Sequence, residues 1–128
     1  RYYYEYNPSI VVLPADQVPD IPGEVPVYLA SYRIAETQKC MTEEQKNLAN
    51  PYGRPLPHDF LAIAFLRNDL SKIQDFVLDF GTANYDFRLF TLNDQLYLTG
   101  SNSIIPIWVN LPKDMSERTR EKRIIVMY

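Results

Sequence analysis

Two hairpin signatures constrain this chain more than any other feature. Asn68-Asp69 separates the apolar runs Phe60 to Arg67 and Lys72 to Phe80, and Asn93-Asp94 separates Phe87 to Leu92 from Gln95 to Thr99. Asn and Asp accept the backbone conformations of tight turns, and β-branched and aromatic runs suit a pleated, half-buried surface. Each pair therefore predicts two antiparallel strands joined by a short turn. The same vocabulary marks further strands at Asn7 to Leu13, Pro26 to Ile34, Ile104 to Leu111 and Arg123 to Tyr128. Pro14, Pro19, Pro22 and Gly23 divide the first two of these and make the intervening segment an extended loop. The prediction is an all-β fold with two sets of four strands.

Two segments fall outside the strand pattern. Glu36 to Leu56 is polar, and Thr42-Glu43-Glu44-Gln45 has the spacing of a capping box, which predicts one short helical insertion before Pro51. Pro112 to Arg123 is crowded with charges and has no spaced apolar face, so it reads as a solvated loop or short polar helix.

The two sets carry an internal echo. Val27-Tyr28-Leu29-Ala30-Ser31 matches Leu96-Tyr97-Leu98-Thr99-Gly100, and each follows an apolar strand after a turn. From Tyr28 to Tyr97 is 69 residues, more than the roughly 40 to 50 of a propeller blade, and discounting the polar insertion brings the spacing into range. Two four-stranded blades fit this pattern. A plain antiparallel sandwich accounts for the same strands without requiring a repeat.

Composition removes several classes of function. The chain has 128 residues, a formal net charge of −3 and 46% hydrophobic residues, which fits one globular domain or part of one. Charges of both signs are scattered without a basic stripe, so a nucleic acid is not an expected partner. No apolar run reaches the roughly 18 residues of a membrane-spanning helix. The single Cys40 excludes an internal disulfide framework and a cysteine-rich zinc site, and leaves the compartment open. The chain starts at Arg1 without a signal-peptide pattern and reads as an excerpt of a longer protein.

Chemistry concentrates in Asn84-Tyr85-Asp86-Phe87-Arg88-Leu89-Phe90. Residues two apart on a strand share a face, so Asp86 and Arg88 project together with α-carbons about 7 Å apart, either as a cavity-facing pair or as a rim ion pair. A second cluster comprises Tyr28, Tyr32 and Arg33 with Asn7 upstream. Tyr28 and Tyr32 share a face and Arg33 takes the opposite one, an arrangement that suits either core packing or a sugar-binding surface. His58, between Pro57 and Asp59, has no second histidine or cysteine nearby and reads as a loop residue. There is no G-x-S-x-G, phosphate-cradling glycine loop or H-E-x-x-H.

Read in order, Tyr6-Asn7-Pro8-Ser9-Ile10-Val11, Val27-Tyr28-Leu29-Ala30-Ser31-Tyr32-Arg33 and Asp86-Phe87-Arg88-Leu89-Phe90 followed by Asn93-Asp94-Gln95-Leu96-Tyr97-Leu98 resemble the opening blades of glycosidase-related five-bladed β-propellers. The β-mannoside phosphorylase and hydrolase family is the nearest in pattern. The resemblance implies a partial propeller over residues 1–128, with a first blade over 6–80 interrupted by the insertion 36–56, and a second over 81–128. It implies that Asp86 stands where the family has its catalytic carboxylate, which assists protonation of the glycosidic oxygen. By the same resemblance Arg33, Arg88, Asn7 and Tyr32 contribute to binding the substrate. The expected partners are a glycan substrate and the remaining blades of the same chain. No cofactor is implied, and inorganic phosphate enters as co-substrate only if the reaction is phosphorolysis. Tyr85 and Phe87 replace the family's Glu and Pro around the aspartate. A non-catalytic propeller that binds glycan or protein through the same cavity is the alternative.

Overall fold

The computed structural model describes residues 4–35, 60–78, 87–100, 103–112 and 124–125. Four strands, β1 (Tyr4–Val12), β2 (Tyr28–Ala35), β3 (Phe60–Leu66) and β4 (Lys72–Leu78), form one antiparallel sheet in sequence order. A second sheet follows with β5 (Arg88–Leu92), β6 (Gln95–Thr99), β7 (Ile104–Trp108) and β8 (Ile124–Ile125), again in sequence order. Among the described residues no strand of one set enters the other sheet.

Both predicted hairpins form. Asn93 and Asp94 have φ of 49° and 60°, so a two-residue turn with both residues left-handed closes β5 onto β6, matching the natural twist of the strands. The β3–β4 turn instead places its positive φ at Leu70 (70°), with the Leu70 N–H donating to the Arg67 carbonyl and the Arg67 N–H to the Ser71 carbonyl. Asp69 braces this turn by accepting from the backbone N–H and the hydroxyl of Ser71.

The second sheet differs from expectation at its last strand. β5, β6 and β7 are antiparallel, but β8 pairs parallel to β7 through Ile107 with Ile124 and Trp108 with Ile125. A parallel neighbour needs a connection of a dozen or more residues, and the long segment from Val109 to Arg123 supplies it where a tight turn would not. The segment between β2 and β3, where a helical insertion was expected at 36–56, lies outside the described residues. Among the described residues the only helical element is a 3₁₀ turn at Ala15–Gln17, inside the proline-punctuated loop. No helix among them is long and apolar enough to cross a membrane.

The two sheets share one core. Leu29 from β2 and Leu61, Ile63 and Phe65 from β3 pack with Leu89, Leu96, Leu98 and Ile107 of the second sheet, each burial contributing about 1.5–3 kcal/mol. Phe76 adds an edge-on ring contact to Phe65 at 6.1 Å between centroids. The far face of the first sheet holds a smaller cluster, with Tyr32 and Leu66 over Ala30, Ala62 and Ala64. β3 is thereby buried on both faces, the reason its sequence is apolar without alternation.

The sequence echo is not a structural repeat of the kind it suggests. Leu29 and Leu98, matched in that echo, both enter the shared core, while Tyr28 packs with the far-face cluster. Sheets related by rotation about a common axis would turn matched residues one toward the neighbour and the other away.

Candidate functional site

The seam between the sheets begins with a local irregularity in β1. Tyr6 pairs with Arg33 and Ser9 with Ser31, so β1 spends one more residue than β2 across the interval. This β-bulge sits at Asn7-Pro8. Asn7 has φ of 54°, a left-handed conformation that Asn tolerates better than most residues, and Pro8 has no N–H to lose from the ladder.

The bulge aims polar groups at β5. The Asn7 carbonyl accepts a hydrogen bond from Arg88 Nη1 at 2.9 Å, and the Ser9 hydroxyl accepts one from the Leu89 N–H at 2.8 Å. Ser9 Oγ also bonds the fully buried Ser31 Oγ, so the link reaches from β5 through β1 into β2.

Arg88 is exposed and anchored at one end of its guanidinium. Nη1 donates to the carbonyls of Asn7 (2.9 Å) and Phe87 (3.3 Å), whereas among the described residues Nε and Nη2 have no partner and no carboxylate lies within ion-pair distance. A planar, permanently charged group held this way offers its remaining donors to an anion or to sugar hydroxyls. Arg33 lies two residues beyond Ser31 on the same face of β2, at the end of the sheet where Asn7 and Arg88 meet. Asp86, the expected acid, lies outside the described residues, as do Tyr85 and His58. Phe87 packs against the shared core.

Tyr32 is placed apart from the others. It is buried on the far face of β2, where its hydroxyl donates to Asp75 Oδ2 at 2.8 Å and accepts from Lys72 Nζ at 2.8 Å. Lys72 Nζ also reaches Asp75 Oδ2 at 3.0 Å and lies 4.9 Å from the centre of the Tyr32 ring. Hydrogen bonds from Tyr32 and then Lys72 hold the Asp75 carboxyl below its ordinary range. Burial pushes the Tyr32 hydroxyl above its own, and Lys72 is raised, chiefly by its bond to Tyr32. The hydroxyl is thus engaged by two side chains of its own sheet. The structure brings Asn7 and Arg88 into contact, sets Arg33 at the same end, and directs Tyr32 to the opposite face.

Lys72 and Asp75 were not legible as a pair. Three residues apart on a regular strand they would point to opposite faces, but the register of β4 against β3 shifts between Phe65 and Leu66, which returns both to one face. Ser9 and Ser31 carried a faint signal, since each is a small polar residue inside an otherwise apolar strand. Among the described residues no group of three or more His, Cys, Asp or Glu side chains could hold a metal ion.

No protein-family model, curated protein or solved structure matches the chain.

Proposed function

We propose that this chain forms the first two blades of a carbohydrate-active β-propeller, whose ligand site opens at the end of the seam where Asn7, Arg33 and Arg88 gather. The observation that carries the proposal is the Arg88 anchor. A guanidinium tied by one nitrogen to the Asn7 carbonyl, with no partner for Nε and Nη2 among the described residues, is prepared for an oxygen-rich ligand. Two further features support it: each sheet keeps its strands in sequence order, and the first strand of one sheet lies against the first strand of the other.

Asp86 precedes Arg88 by two residues at the entry to β5 and acts in this reading as general acid toward a glycosidic oxygen. Glycoside cleavage ordinarily uses two carboxylates, and the second, or a phosphate nucleophile, comes from outside this segment. The reading covers hydrolysis, phosphorolysis and transfer. Phe87 favours one alternative, a propeller that binds glycan or protein without catalysis, because the residue beside the acid is committed to core packing.

The test uses the full-length protein with β-1,4-mannobiose as probe, with and without inorganic phosphate. Asp86→Asn is expected to lower turnover by about 10²–10⁴ while leaving binding in place, the usual range for loss of a general acid. Arg88→Ala is expected to weaken binding. Unchanged turnover in Asp86→Asn overturns the enzyme reading, binding without turnover in the unaltered protein supports the binding module, and neither binding nor turnover ends the carbohydrate assignment.

A further inference from the structure

The loop between β1 and β2 buries an amide whose bonding crosses to the other sheet. Gln17 is 4% exposed, and its Oε1 accepts from the backbone N–H groups of Val109 (2.6 Å) and Asn110 (3.1 Å). Its Nε2 donates to the carbonyls of Asn110 (3.0 Å) and Asp16 (3.3 Å). Asn110 reciprocates, with Nδ2 donating to the carbonyls of Asp16 and Val18, each at 3.1 Å. A side-chain amide thereby pairs with both backbone groups of residue 110, as a neighbouring strand would.

This clamp lies at one end of the stack, beyond the close of β1 at Val12 and of β7 at Trp108. The bonds of Asn7 and Ser9 to β5 lie nearer the other end. Between them the sheets touch through apolar side chains, whose attraction is not directional and does not by itself fix an angle. Among the described residues these two places carry directional bonds between the sheets, and the strands of each sheet connect them.

We propose that Gln17 and Asn110 act as a positioning clamp that sets the angle between the two sheets and so holds the distant seam of Asn7, Ser9, Arg88 and Leu89 in register. The inference needs no assumption about the ligand. Releasing the clamp lets the sheets pivot on their apolar contact, and the first bond to feel the pivot is the one from the Leu89 N–H to Ser9 Oγ, because it joins backbone of one sheet to the other.

Residue-resolved amide hydrogen exchange on the full chain provides the test. Gln17→Met keeps the buried volume and removes the bonds of the Gln17 side chain, leaving the Val109 and Asn110 N–H groups without their acceptor. Exchange is expected to accelerate on the order of tenfold at Val109, Asn110 and Leu89, with the ladder amides inside β2, β3 and β6 unchanged. Asn110→Ala removes only the reciprocal bonds and is expected to give a smaller acceleration at the same distant amide; it stands as the deciding variant if Gln17→Met does not fold. Acceleration confined to Val109 and Asn110 overturns the coupling, and so does an equal acceleration of every amide in both sheets, which would mark a general loss of stability.

Discussion

Asp75 shows how one carboxylate can carry a pH signature without a catalytic role. Its acidity is raised in the folded state by hydrogen bonds from Tyr32 and Lys72, so its folded pKa lies below its unfolded one. Stability from such a group is complete above the unfolded value, about 3.9, and is lost as pH falls toward and through the folded value. Both Asp75 and Lys72 are partly solvated, with side-chain exposures of 44% and 41%, which keeps the effect modest. Denaturant midpoints at pH 6 and pH 3 should fall further for the unaltered protein than for Asp75→Asn. An equal fall in both would assign the acid sensitivity to other groups. The sequence displays these residues but not their meeting, since Lys72 and Asp75 come to one face only through an irregularity of register that no alternation pattern reveals.

At the level of elements, the long segment between β1 and β2 proved more structured than its prolines suggested. Pro14, Pro19 and Pro22 do prevent a long helix, yet the Pro14 carbonyl accepts from the Gln17 N–H to form a 3₁₀ turn. Leu13 N–H then bonds the Val27 carbonyl, and Val27 N–H the Leu66 carbonyl. Arg67 completes the attachment with a two-pronged bond to Glu24, Nε to Oε2 at 2.8 Å and Nη2 to Oε1 at 2.6 Å. Gly23 turns the chain at φ of 75°, and nothing lies within 4 Å of the position a Cβ would take. Gly23→Ala therefore meets backbone strain alone and should cost about 1 kcal/mol in equilibrium unfolding; no measurable loss would show that the turn can relax to negative φ. The strands themselves were legible because runs of apolar, β-branched and aromatic residues are bounded by turn residues. Their ends were less so: β1 begins at Tyr4, before Asn7-Pro8, since a bulge lets a strand continue through a dipeptide that otherwise reads as its boundary. The direction of β8 was illegible as well, because strand propensity does not specify which neighbour a strand meets or from which end.

The whole molecule is held as a unit by a core to which both sheets contribute. Ile63 is fully buried in β3 and packs in the cluster that includes Leu89, Leu96 and Leu98. The single tryptophan, Trp108, is buried in β7 of the second sheet. Ile63→Ala should cost about 2–5 kcal/mol, and the loss should appear in Trp108 fluorescence as one shifted transition that coincides with loss of β-sheet circular dichroism. Two separated transitions would mean that the sheets fold independently despite their shared interior. At this scale the sequence predicted two sets of strands and left open how they meet. Sandwich and propeller draw on the same local alternation and differ in the relative placement of faces, which is set by contacts between residues far apart in the chain.

The Asn7 carbonyl also bears on how this protein would look in a mutational survey. The acceptor for Arg88 belongs to the backbone, so truncating residue 7 to alanine leaves that oxygen in place while making the left-handed φ harder to hold. A survey of side-chain deletions would consequently register one half of the contact, at Arg88, and pass over the other. Exchanging that oxygen for sulfur, by a thioamide between Asn7 and Pro8, addresses the half that side-chain scanning is built to miss.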